Sequence, residues 1–119
     1  MESPVGITRA DISGLTWVAL EGELDLAGAG LVGGDLLRIC DASGHVVIDA
    51  RALGFIDLTG LRLLAGLERR QRDRGARFAL VAGDALRRLA RLGELQPLLD
   101  SERHPDDLLG LVGSTPPGP

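Results

Sequence analysis

Short runs of β-branched and apolar residues alternate along the chain with longer stretches in which leucines recur every three or four positions. Residues 5–10 and 15–22 ("LTWVALEG") have the character of two strands, and the intervening Asp-Ile-Ser-Gly suits a tight turn, so a hairpin is expected. "HVVIDA" at 45–50 is an unbroken strand-like run entered through Ser43-Gly44, which places it near the centre of a sheet covered on both sides. "ARFALVA" at 76–82 reads as the next strand.

Between these runs the period changes. From Leu26 to about Ala42, Leu31, Leu36, Leu37 and Cys40 share one expected inward face, although the four glycines between 28 and 34 lower helix propensity and leave the first half open between helix and loop. After a connection "RALGFIDL", Leu61, Leu64 and Ala65 fall at helical spacing, Glu68 and Arg72 stand at i,i+4, and Gly75 is a suitable stop. Residues 83–93 form a second amphipathic pattern with Asp84 at its start. Leu95 to Leu99 fit a short strand or turn, and 105–112 a last helix opening at a proline. The expected order is β-β-α-β-α-β-α. It describes an α/β fold, a small mixed sheet with an N-terminal antiparallel hairpin, parallel crossover units and helices packed on the sheet. One domain over 1–112 is expected, followed by a flexible tail at 113–119.

Composition narrows the function. The 119 residues carry a formal net charge of −4, so the global field does not attract nucleic acid or anionic lipid. All basic residues are arginine, which removes the usual Schiff-base amine and the lysine of a nucleotide-binding loop. Cys40 is the single cysteine, and His45 and His104 are far apart in sequence, so neither an internal disulfide nor a structural metal site is expected. The N-terminus lacks a basic segment followed by a long apolar run, and no uncharged stretch approaches the ~20 residues that span a bilayer. The expectation is a soluble, cytoplasmic protein without cofactor.

Two enzyme-like patterns are present in outline, and a third is missing. Gly28-Ala29-Gly30-Leu31-Val32-Gly33 matches G-x-G-x-x-G, with Asp49 at the end of the next strand. In a dinucleotide site, however, the first glycine follows the strand almost directly, whereas "ELDLA" intervenes here. Asp25, Asp49 and Asp57 offer carboxylates for acid–base chemistry, which needs a cleft and one raised pKa. No G-x-S-x-G elbow accompanies the two histidines. No catalytic constellation follows, and a non-enzymatic role is expected.

Two stretches do form a recognisable pair: "LEGELDLAGAG" at 20–30 and "HVVIDARALGFIDLTGLRLL" at 45–64. Gly22-Glu23-Leu24-Asp25 after the second strand, Asp49 in the central strand, and Asp57-Leu58-Thr59-Gly60-Leu61 at a helix entrance resemble the STAS family, shared by anti-sigma factor antagonists and sulfate transporters. Leu58 and Thr59 stand where the family's step has two serines. The resemblance spans roughly residues 5 to 112. It implies a phosphoacceptor at Thr59, the hydroxyl residue directly before the glycine, and partner contacts from Asp25, Asp49, Asp57, Gly60 and Arg62.

The implied partner is an anti-sigma factor of the histidine-kinase-like ATPase class acting as a serine/threonine kinase, with a phosphatase as a further partner. The unphosphorylated form would bind the kinase and free a sigma factor. A phosphate on Thr59 adds about −1.5 to −2 charges beside Asp57, which opposes docking of a surface shaped for a neutral hydroxyl. Read from the residues alone, Thr59 and Asp57 are equally at home as helix caps and Asp49 as a structural acceptor at a strand end. The alternative is a constitutive STAS-like scaffold or transport-complex subunit in which Thr59 only caps.

Overall fold

A computed structural model describes residues 4–12, 14–92 and 95–112, the last four of these by backbone alone. The elements are β1 (Gly6–Ile12), β2 (Leu15–Leu24), α1 (Leu26–Asp41), β3 (His45–Ile56), α2 (Leu58–Asp73), β4 (Arg77–Val81), α3 (Asp84–Leu92), α4 (Gln96–Asp100) and α5 (Pro105–Val112). The sheet order is β1-β2-β3-β4. β1 and β2 form the expected antiparallel hairpin, with Ile12 opposite Leu15, while β2, β3 and β4 run parallel. The tail at 113–119 lies outside the described residues.

Alternation along the strands divides the interior in two. Val18, Leu20, Leu24, Val46, Ile48 and Ala50 point to the face covered by α1, α2 and α3, which contribute Val32, Leu36, Leu61, Leu64 and Leu86 among others. Leu15, Trp17, Val47, Ala79 and Val81 point to the opposite face, where Leu108 of α5 packs on them. Both faces of β3 are therefore covered, which is why its first half reads as an unbroken apolar run.

The structure revises or adds to these expectations in four places. The connection assigned to "RALGFIDL" is strand as far as Ile56: β3 continues along β2 through two register shifts and ends with Glu23 opposite Phe55 and Leu24 opposite Ile56. The shifts break the period of two, so the sequence loses its alternation there. Second, α1 is helical along its whole length, glycines included. Its inward stripe is Gly28, Val32, Leu36 and Cys40, spaced by four, while Leu31 is 69% and Leu37 37% exposed. Third, residues 96–100 are a short helix rather than a strand. Pro97 has no N–H for a strand ladder but is at home in a first helical turn. Fourth, the segment that does add to the sheet edge is Glu102, bridged to Leu80 of β4.

Beyond the C-terminal end of α1, Arg74 Nη2 donates to the carbonyls of Cys40, Asp41 and Ser43 at 3.0, 2.9 and 3.0 Å, and Gln71 Nε2 donates to Ser43 O at 3.1 Å. α2 thus caps α1 and anchors the entrance to β3. Burial pushes the Cys40 thiol up to about 11, so it stays protonated and unreactive at neutral pH.

The glycines of α1 separate cleanly by their surroundings. A Cβ at Gly30 meets nothing within 4 Å, whereas one at Gly28 falls 2.5 Å from the Glu23 carbonyl oxygen. Gly30→Ala is expected to stabilise the fold by ~0.5–1 kcal/mol through helix propensity. Gly28→Ala is expected to destabilise it by ~1–3 kcal/mol through overpacking. Urea unfolding of the two variants tests the pair.

Candidate functional site

Parallel pairing brings the two acidic steps together. Because Leu24 lies opposite Ile56, the next residues, Asp25 and Asp57, stand side by side where β2 and β3 give way to α1 and α2. Each is followed by the same local pattern, Asp-Leu-Ala-Gly at 25–28 and Asp-Leu-Thr-Gly at 57–60. Each aspartate is a helix N-cap with extended backbone: Asp25 Oδ1 accepts from Gly28 N–H at 2.8 Å, and Asp57 Oδ1 accepts from Gly60 N–H at 2.9 Å. The caps satisfy N–H groups that the first helical turn leaves free.

Asp57 does one thing more. Its second oxygen, Oδ2, accepts the Leu26 N–H of α1 at 3.1 Å, and its own N–H donates to Leu24 O at 3.3 Å. One carboxylate therefore fastens the first turns of both helices. The close approach leaves no room for side chains at the third helical position: a Cβ at Gly60 would fall 2.0 Å from Leu24 O. Gly60 is thus a spacer that lets α2 press against the end of β2.

Thr59 is exposed at the second position of α2. Its hydroxyl has no hydrogen-bond partner among the described residues, and the capping role belongs to Asp57. Large apolar side chains are also exposed at this end of the sheet: Leu58 is 39%, Phe55 48% and Leu26 71% exposed. Exposed large apolar groups gathered at one end of a small domain mark an interaction surface more often than chance does. Arg62 lies one turn beyond Thr59, exposed, on the rim of an open groove between α1 and α2 that also holds Gly33, Leu37 and Leu63. Among the described residues it has no ion-pair partner.

Asp49 is not brought to this end. Its side chain lies on the opposite face of the sheet, with the residue 7% exposed, accepting from Trp17 Nε1 at 3.2 Å and from Arg51 N, Nε and Nη2 at 3.1, 2.9 and 2.7 Å. Burial pushes its pKa up, but the Arg51 hydrogen bonds and charge, with Trp17, outweigh this and hold it below the usual carboxylate value. This is a structural cluster, and the three aspartates do not converge into an acid–base pair. Nor is Gly28–Gly33 a phosphate-cradling loop: it lies inside α1, with Gly28 N–H already taken by Asp25.

The Asp-Leu-x-Gly step occurring twice was the signal that pairs the two loops, and in sequence it was obscured because Gly28 also fits the nucleotide-like glycine pattern. Leu26 and Phe55 are the surface residues that the sequence did not single out. Leu26 is the exact counterpart of Leu58, at the first position of its helix.

The family model of the STAS domain matches residues 7–107. The chain belongs to the STAS family. Among solved structures, this STAS chain is similar to an anti-sigma factor antagonist from Mycobacterium paratuberculosis, at 26% identity with a TM-score of 0.79 over 96% of this chain and 100% of the other. Two further likenesses, both under 25% identical, show the fold. One is the Bacillus cell fate determinant SpoIIAA in its phosphorylated form, at 17% identity and TM-score 0.68 over 90% and 99% of the two chains. The other is a sulfate transporter family protein from Wolinella succinogenes, at 20% identity and 0.65 over 87% and 89%. No curated protein matches the STAS chain by sequence. No described helix is long and apolar enough to cross a membrane.

Asp57→Ala removes a cap and the bridge to α1, so it is expected to cost ~2–3 kcal/mol, against ~1 kcal/mol for Asp25→Ala; chemical denaturation compares them directly. Asp49 supplies a separate, pH-dependent test. Since its folded value is lowered, its contribution is complete above the unfolded value of about 3.9 and is lost as pH falls through the folded value. Asp49→Asn is expected to be less stable than wild type at neutral pH and to lose less further stability between about pH 5 and about pH 2. Thermal melts across that range, showing parallel curves instead, would remove Asp49 as a source of acid sensitivity.

Proposed function

We propose that this chain is a regulatory protein-binding domain of the anti-sigma factor antagonist kind, switched at Thr59. Unphosphorylated, it docks through the α1 and α2 entrances onto an anti-sigma factor of the histidine-kinase-like ATPase class, and so frees a sigma factor. Phosphorylation of Thr59 by that kinase ends the complex, and a phosphatase resets it. The observation that carries this reading is the idle hydroxyl: Thr59 is exposed on a firmly capped helix, while Asp57 does the capping. The likeness to the mycobacterial antagonist supports the same assignment.

The contact surface in this reading is Leu26, Phe55, Leu58 and Thr59, with Asp25, Asp57, Gly60 and Arg62 bordering or supporting it. Asp49 supports the fold and takes no part in docking. Desolvation of the leucines drives association, and the neutral threonine is small enough to be buried with them. A phosphate there is a solvated dianion close to two carboxylates that cannot move, since both are engaged with helix N–H groups. Release thus needs no change of fold. Opposition of ~3 kcal/mol weakens binding about a hundredfold.

The scaffold reading has one observation in its favour, the near full-length likeness to a sulfate transporter family protein. It requires a constitutive assembly indifferent to Thr59. The discriminating experiment incubates the chain with each anti-sigma kinase of its source organism and ATP, then maps added phosphate by mass spectrometry. A single phosphate on Thr59, absent from Thr59→Ala, is expected. In parallel, Thr59→Asp is expected to lose about a hundredfold in affinity for that kinase while keeping its stability, because an acidic residue is favourable in a first helical turn. Absence of phosphate with kinases active on their own substrates, together with full binding by Thr59→Asp, would give the scaffold reading its place.

A further inference from the structure

A second concentration of charge lies on the other side of the molecule, where the chain passes from α4 to α5 around the outer edge of β4. Leu80 N–H donates to Ser101 O at 3.0 Å and Arg103 N–H to Leu80 O at 2.8 Å, so this crossing is fastened to the sheet like a one-residue strand. Between the crossing, Arg51 of β3 and α3 opens a cleft of about 460 Å³. Arg51, Arg87, Arg103 and His104 line it, with Glu102 the one carboxylate in the lining. In a chain of net charge −4, three guanidinium groups gather on one cleft.

Each guanidinium is oriented by one set of acceptors and keeps donors in reserve. Arg51 gives Nε and Nη2 to Asp49 at 2.9 and 2.7 Å, and Asp49 is itself steadied by Trp17. Arg87 gives Nε to Glu102 at 2.6 Å and Nη1 to Asp84 at 3.2 Å. Arg103 gives Nη1 to the carbonyls of Asp100 and Glu102 at 2.8 and 2.7 Å. Among the described residues, Nη1 of Arg51, Nη2 of Arg87, and Nε and Nη2 of Arg103 have no acceptor. His104 Nδ1 accepts the Asp106 N–H at 3.2 Å, which leaves the ring proton on Nε2 as a further donor.

Glu102, Asp84 and Asp49 balance the three guanidinium charges one for one, so an ordinary monovalent anion gains little here. A tetrahedral dianion is different, since its several oxygens match forked donors that are already held in place. The cleft is also larger than a bare phosphate needs, and Leu99 and Pro105 give it an apolar wall. We propose that this cleft binds a small phosphomonoester, its phosphate against Arg51, Arg87 and Arg103 and its organic part along Leu99 and Pro105. The site is independent of the Thr59 switch.

The structure supplies its own reporter. Trp17 is the single tryptophan, the chain has no tyrosine, and Trp17 touches the carboxylate that orients Arg51. The full chain is titrated with inorganic phosphate and with phenyl phosphate, against chloride at matched ionic strength, reading Trp17 emission and calorimetric heat. Saturable binding of phenyl phosphate in the range up to about 10 mM is expected, with inorganic phosphate weaker or silent. Arg103→Gln, at a side chain whose hydrogen bonds among the described residues go to nearby backbone carbonyls alone, is expected to weaken it about tenfold at an unchanged melting temperature. Thr59→Ala is expected to bind as wild type does. Failure of both ligands to saturate by either readout, binding of inorganic phosphate with equal or greater affinity than phenyl phosphate, or undiminished binding by Arg103→Gln would overturn the proposal.

Discussion

The carboxylate of Asp57 is shared between two helices. One oxygen closes the first turn of α2 through Gly60, the other closes α1 through Leu26, and the residue's own N–H reaches back to the end of β2. Most helix caps satisfy only their own helix. Here the cap fixes the distance and rotation between two entrances, and everything exposed at that end inherits its position from this one group. Leu26 and Leu58 become a matched pair of apolar projections, and Thr59 is presented on a turn whose backbone is held by the same cap.

That constraint explains why small residues follow each aspartate. The parallel register sets Leu24 beside Ile56, and both helices must begin within hydrogen-bonding reach of the strand ends. The backbone of α2 then comes so near to Leu24 O that only glycine fits at position 60, and Glu23 O imposes the same demand at position 28. Capping geometry, sheet register and side-chain size are thus one requirement stated three times. Such agreement among local features is what lets a short sequence specify a single arrangement.

The same pattern accounts for what could be read in advance. The hairpin, the parallel strands and α2 were legible because their apolar periods are regular, whereas the glycines of α1 left its first half open, and the pairing of Thr59 with Asp57 followed from the family's step. The second half of β3 was not legible, since its irregular pairing with β2 destroys alternation, and Gly54, the extra residue at the second shift, reads equally well in sequence as part of a loop. The inward face of α1 is hidden by residue size, since Gly28 and Val32 face the core while the larger Leu31 faces solvent. Asp49 was grouped with Asp25 and Asp57 because all three stand near strand ends in sequence. Only the alternation of β3 sends its side chain to the other face, where Trp17 and Arg51 receive it.

The two ends of Asp chemistry in this molecule therefore differ in kind. Asp25 and Asp57 spend their charge on backbone N–H groups, leaving an exposed threonine at a helix entrance where a new dianion would stand near two carboxylates, with Arg62 one turn away as the neighbouring cation. Asp49 spends its charge on Arg51, orienting a guanidinium whose unused donors face a cleft shared with Arg87 and Arg103. On the proposed function and the proposed cleft site, a phosphate opposes association in the first setting and is bound in the second, although both lie on one small sheet. What separates them is the partner each aspartate was given: helix dipoles accept negative charge without adding any formal positive charge, while a guanidinium brings a full one.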